Sequence, residues 1–250
     1  MGSTKKLTAI VPAALLAATV AYTGSASAAD LLVDPPVYET PEIVTKSHGG
    51  WYLRGDITYD FNEVQNPRYR NTAAWTTGWT DFTSHETEAA FDIGAGIGYQ
   101  INDYLRADLT MDYVFESEFT ATSGCPSTCA AVDTSSFTTL KLLGNAYVDL
   151  GNFSGFTPYV GAGLGGAHVA WDDLTGAGNE PGVESWRFAW ALHAGVSYDI
   201  AESLKLDVGY TYSHIHGGDM FDSEGSTPNL FKDDGITSHV IRAGLRYQIW

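Results

Sequence analysis

Ser213, His214, His216 and Asp219 put a hydroxyl, two imidazoles and a carboxylate into one short run, the groups that acyl-transfer chemistry needs. The run closes an alternating segment, and in a strand neighbouring side chains point to opposite faces. Ser213 and His214 are therefore expected to face apart, no His-x-Ser spacing occurs, and no catalytic residue is assigned. His214 and His216 lie two apart and share a face, which suits a metal or a haem iron. No third ligand accompanies them, so solvated histidines are the reading adopted, and no cofactor is expected.

The two cysteines, Cys125 and Cys129, stand in Ser-Gly-Cys-Pro-Ser-Thr-Cys with no His or further Cys nearby to complete a metal site. Redox-active pairs usually have two intervening residues, and this pair has three. A small structural disulfide formed in an oxidising compartment is the expectation.

The segments that must position these groups alternate with period two. Phe188, Trp190, Leu192, Ala194, Val196 and Tyr198 stand against Ala189, Ala191, His193, Gly195 and Ser197, with aromatics at the ends of the apolar stripe and aliphatics between. About ten residues of tilted strand cross a bilayer, and rings favour its interfaces. The same pattern begins at Trp51 and returns in Phe91–Tyr99, Leu105–Phe115, about Phe137 to Leu150, Pro158–Trp171, Leu204–Tyr212 and Ile241–Tyr247. The fifth of these segments loses its phase near Gly166 and His168, which predicts a bulge or the end of the membrane band. Eight strands joined alternately by long and short connections describe an all-β, eight-stranded antiparallel up-and-down transmembrane barrel over residues 50–250. The long connections run roughly from Asn62 to Glu88, Ser117 to Ser135, Asp172 to Ser185 and Ile215 to Thr237. An even strand number puts both ends of the barrel on one side, taken as the periplasm.

Ahead of the barrel, Lys5 and Lys6 precede the apolar run Leu7–Val20 and the small-x-small site Ala26-Ser27-Ala28, which reads as a secretory signal peptide over residues 1–28. Residues 29–49, with Asp34-Pro35-Pro36 and Glu39-Thr40-Pro41-Glu42, read as a Pro-rich periplasmic leader. No further apolar run is long enough for a membrane helix, so a crossing falls to strands.

Charge separates a membrane barrel from a soluble sandwich. The chain carries 13 bases and 30 acids, a net charge of −17, which becomes −19 once the two signal lysines are removed, and nucleic acid is an unsuitable partner. On or beside the polar face, however, stand seven bases (Arg54, Arg106, Lys141, Arg187, Lys205, Arg242, Arg246) and nine acids (Asp56, Asp60, Asp92, Asp108, Asp112, Glu116, Asp149, Asp199, Asp207). Near-balance is what a cramped interior requires, because an unpaired buried charge is costly and eight strands enclose little more than their own side chains. The expected lumen is an ion-paired plug. The surplus acid lies in the long connections, which hold fifteen acids, Asp133 and Asp233 among them, and three bases, Arg68, Arg70 and Lys232. Such a rim would draw divalent cations that bridge it to lipopolysaccharide phosphate.

Gly50-Trp51-Tyr52-Leu53-Arg54-Gly55-Asp56, Thr157-Pro158-Tyr159-Val160-Gly161-Ala162-Gly163, Gly195-Val196-Ser197-Tyr198-Asp199 and Ala243-Gly244-Leu245-Arg246-Tyr247, taken in order, resemble the small outer-membrane barrel proteins of rhizobia and related alphaproteobacteria, the opacity-type porins with an OmpA-like barrel. The resemblance spans Trp51 to Trp250. It implies a non-enzymatic surface protein of the Gram-negative outer membrane that supports envelope integrity and contact with host surface molecules. A cation-selective channel and a haemin-binding receptor are the alternatives. The family usually closes on a Phe two residues after an aromatic; here Tyr247 is followed by Gln248-Ile249-Trp250, leaving Trp250 for the barrel-assembly machinery to recognise.

Overall fold

A computed structural model of the chain describes residues 49–70, 79–124, 130–176, 180–222 and 230–249. The expected signal peptide, the leader up to residue 48 and the expected Cys125–Cys129 disulfide lie outside the described residues. Eight long strands form the barrel: β1 Gly50–Gln65, β2 Ala90–Gln100, β3 Leu105–Gly124, β4 Ala130–Asp149, β5 Phe156–Trp171, β6 Glu184–Ala201, β7 Leu204–His216 and β8 Gly235–Gln248. Each pairs antiparallel with its neighbours in sequence, and β8 pairs with β1, Leu53 opposite Tyr247 and Ile57 opposite Ala243. Closure leaves the main sheet no free edge, which a strand structure in hydrocarbon requires. Among the described residues no helix is long and apolar enough to cross a membrane.

Short connections tighten one end. After β4, Gly151 and Gly155 adopt φ of 106° and 92°, and the Asn152 side chain accepts from the Gly155 backbone N–H at 2.9 Å. After β2, the Asn102 side chain accepts from Tyr104 and Leu105 N–H, both at 2.8 Å.

Burial alternates strictly along β1, where Tyr52, Arg54, Asp56, Thr58 and Asp60 are buried while Trp51, Leu53, Ile57, Tyr59 and Phe61 are exposed. The apolar residues are thus outside and the ionic ones inside, the reverse of a water-soluble barrel. Interior glycines on β2 make room for side chains reaching across. A Cβ at Gly98 would stand 2.2 Å from Cζ of Tyr52, which has no exposed surface. Gly98→Val is therefore expected to displace that ring and destabilise the barrel by about 1–3 kcal/mol or more, measured as a lowered urea midpoint in lipid vesicles.

Three expectations need correction. β3 and β4 run past the membrane band paired to each other, so most of the connection read as Ser117 to Ser135 is strand. Of the two alternatives for β5, the bulge near Gly166 or His168 is absent, its pairings with β4 and β6 being unbroken. Its pattern changes because the inward positions themselves become apolar there, at Ala167, Val169 and Trp171. The bulge lies instead in β3, where the register shifts between Val114 and Ser117. Beyond it the inward phase passes from even to odd residues, and Glu116, expected in the lumen, is exposed.

The long connections also contain short strands. Asp219–Asp222, Leu230–Lys232, Arg68–Arg70 and Thr80–Asp81 form a four-stranded sheet, and Ser84–Thr87 pairs with β3.

Candidate functional site: the barrel interior

Side chains from all eight strands meet inside the barrel, and those nearest the short connections are ionic. Arg106 Nε donates to Asp149 at 3.0 Å, and its guanidinium carbon lies 4.1 Å and 4.6 Å from the ring centres of Tyr147 and Tyr159. Arg246 reaches Asp207 at 3.2 Å and donates to the Ser197 hydroxyl at 2.8 Å, while that hydroxyl donates to Asp207.

A denser group sits above. Arg54 takes both oxygens of Asp56 at 2.9 Å and donates to Asp108 and to the Tyr147 hydroxyl at 3.0 Å. Asp108 also accepts from Tyr52 at 3.0 Å and from Asn145 at 2.8 Å. His193 bridges Thr211 at 2.9 Å and Asn145 at 3.2 Å. Lys141 stands 2.9 Å from Asp60 and 3.2 Å from Asp92, and Arg242 lies 3.9 Å from Asp112. Bidentate and shared contacts of this kind offset the cost of removing the charges from water.

Three predicted lumen residues lie elsewhere. Lys205 pairs with Asp199 across the β6–β7 connection, and both are part-exposed there. Glu116 is turned outward by the bulge described above.

The part of the interior nearest the long connections is apolar, which the sequence reading missed. Phe119, Phe137, Val169, Trp171, Ile215 and Ile236 from the wall pack with Met220, Phe221 and Phe231 from the small sheet into one buried cluster. At its border Arg187, expected among the ionic group, donates to Asp233 at 2.7 Å and to the Asp219 carbonyl at 2.7 Å. Asp233 and Asp133, both expected on an outward acidic rim, are buried. Burial holds the Asp233 carboxyl above the ordinary carboxylate range, against the opposing pull of Arg187 and the backbone N–H groups of Gly235 and Gly218.

The hydrolytic candidates face apart: Ser213 is buried inside, whereas His214 and His216 are on the outer face with ring centres 5.4 Å apart. Among the described residues no group of three His, Cys, Asp or Glu could hold a metal ion.

A closed eight-strand ring with ionic groups inside and an apolar exterior is the architecture of an outer-membrane barrel, and residues 14–248 match the family model described as outer membrane protein beta-barrel domain. The chain belongs to that family. It is 35% identical to an uncharacterized protein of Brucella suis biovar 1 (strain 1330), over 94% of this chain and 97% of that one. A Rickettsia massiliae (strain Mtu5) protein named "Putative adhesin" is 28% identical, over 80% of this chain and 88% of that one. The crystal structure of the outer membrane protein OprG from Pseudomonas aeruginosa aligns with a TM-score of 0.50 at 16% identity, covering 80% of this chain and 96% of that chain, and shares the fold. In this family frame the apolar outer face is the lipid-facing surface, and its rings gather toward both ends: Trp51 packs on Tyr99 near the short connections, and Tyr59 on Phe91 nearer the long ones.

Proposed function

We propose that this protein is a closed, non-catalytic barrel of the Gram-negative outer membrane that stabilises the envelope and presents its small loop sheet to external surfaces. The observation that carries this reading is the double filling of the interior. An ionic group and an apolar cluster occupy successive lengths of a barrel whose bore holds little beyond its own side chains. An even number of strands leaves both ends of the barrel on one side; in this reading that side is the periplasm, with the long connections facing outward. Surface contact draws support from the adhesin name of the Rickettsia relative and from the exposed Trp79, which lies 5.6 Å and 5.4 Å from the guanidinium carbons of Arg68 and Arg70. Exposed acids of the rim engage lipopolysaccharide through divalent cations, and the barrel-assembly machinery inserts the chain.

Single-channel recording in a planar bilayer tests the closed barrel. The refolded mature protein is expected to be silent, and Arg106→Ala, which removes the guanidinium between Tyr147 and Tyr159, is expected to give small openings. Steady cation-selective conductance from the unmodified protein would make it a porin and end this reading.

A further inference from the structure

The outer face is asymmetric at the long-connection end. Over β1–β3 its girdle consists of Tyr59, Phe61, Phe91, Tyr113 and Phe115. On β7 and β8 three histidines replace part of that girdle, and each lies against an aromatic ring. His214 is 5.9 Å from Trp190, His216 is 5.2 Å from Phe188 and His239 is 5.4 Å from Tyr212. Cross-strand pairing places Tyr212 opposite His239 and His214 opposite Thr237, so the three imidazoles occupy one continuous patch.

Their height matters. His214 stands ten residues above Leu204, where β7 begins. Ten residues of strand tilted at about 40° rise about 25 Å, the thickness of the apolar band of such barrels. No outward-facing side chain below the patch on β7 or β8 carries a charge. The imidazoles are thus the first basic groups met on leaving the hydrocarbon on this side, at the level of lipid headgroups.

We propose that His214, His216 and His239 form a proton-dependent seat for the phosphate of an anionic outer-leaflet lipid of the lipid A class. Unprotonated, the three rings act as neutral members of the girdle. Protonation gives them charge and makes both nitrogens of each ring donors. The facing groups set the limits of the seat. Tyr210 hydrogen-bonds His239, and Thr237 lies 3.2 Å from His214 Nδ1. Beside His239, a cleft of about 460 Å³ is lined by Glu63, His85 and Glu86. Those two carboxylates repel phosphate from the β1 side, which directs the lipid toward β7. On the β6 side Trp190 and Phe188 are uncharged, and Glu184 is engaged 3.7 Å from His168 on β5.

This inference rests on the barrel spanning an outer membrane with its long-connection end outward but not on its being closed, and the test uses bilayers with identical leaflets so that binding is read whichever way the barrel inserts. The protein is folded into phosphatidylcholine nanodiscs containing a minority of lipid A. After detergent extraction at about pH 5.5 and about pH 7.5, either side of the imidazole value, retained lipid A is counted by native mass spectrometry. Several-fold more lipid A is expected at the lower pH. His214→Gln/His216→Gln/His239→Gln is expected to fall to the higher-pH level, and His168→Gln to behave as wild type. Dephosphorylated lipid A is expected to show no pH dependence. All variants are first checked for heat-modifiable migration, and the single variant His216→Gln, with the smallest perturbation, serves if the triple variant does not fold. Equal retention at both pH values, or a folded triple variant that retains lipid A like wild type, would overturn the proposal, as would undiminished pH-dependent retention of the dephosphorylated lipid.

Discussion

Lys141→Met is expected to destabilise the barrel by about 3–5 kcal/mol, the usual cost of removing one partner from a buried ion pair. The ammonium lies 2.9 Å from Asp60 and 3.2 Å from Asp92, and these three side chains are between 0% and 8% exposed. Met matches the aliphatic stem of Lys closely, so the loss is of charge and donors and not of packing. Two carboxylates then remain in the interior, with the Thr58 hydroxyl still donating to Asp60 at 2.9 Å. Restoring neutrality should recover most of the loss: Lys141→Met/Asp60→Asn/Asp92→Asn is expected to lie within about 1–2 kcal/mol of wild type, since an intact buried pair is worth little more than neutral groups of the same shape. Urea unfolding in lipid vesicles, followed by the mobility shift of the folded form, measures both. A loss below about 1 kcal/mol in the single variant would mean that water reaches Lys141 and that the ionic group does not fill the bore.

The strands were legible because period two is local: each stretch such as Trp51–Phe61 carries its own evidence for which side faces lipid. The eight-strand order followed from the alternation of long and short connections. The inward position of Lys141, Asp60 and Asp92 was legible too, but their mutual contact was not. They come from β4, β1 and β2, and which charges meet depends on how closure staggers the strands. The bulge at Phe115–Glu116 was hidden because an aromatic followed by an acid still fits an alternating pattern for one more residue. The apolar cluster was hidden for a different reason. Phe119, Phe137, Trp171, Phe221 and Phe231 lie in or beside stretches rich in acids and turn residues, and only the folded chain brings them together. The Arg187–Asp233 pair shares that cause, since 46 residues separate its members.

Trp171→Ala is expected to cost about 3–5 kcal/mol, as large aromatic deletions in well-packed cores do, and its consequences should separate the two fillings of the interior. The indole is 4% exposed and packs on Phe137 at 4.6 Å, Phe221 at 5.5 Å and Phe119 at 5.6 Å. Phe221 belongs to the small sheet, so the cavity removes the main aromatic anchor between that sheet and the wall. Limited proteolysis is expected to cut the variant within Asp219–Lys232 well before the wild type. Trp186→Ala provides the control, because Trp186 is 60% exposed on the outer face and its removal leaves the cluster intact. Bilayer recordings should nevertheless stay silent in Trp171→Ala if, as proposed, the ionic group around Arg54, Arg106 and Lys141 fills the other length of the bore. Trp171→Ala combined with Arg106→Ala breaches both fillings and is expected to give openings larger than the small ones of Arg106→Ala alone. If Trp171→Ala by itself conducts as freely as the combination, the apolar cluster is the whole barrier, and the ionic group serves stability without closing the pore.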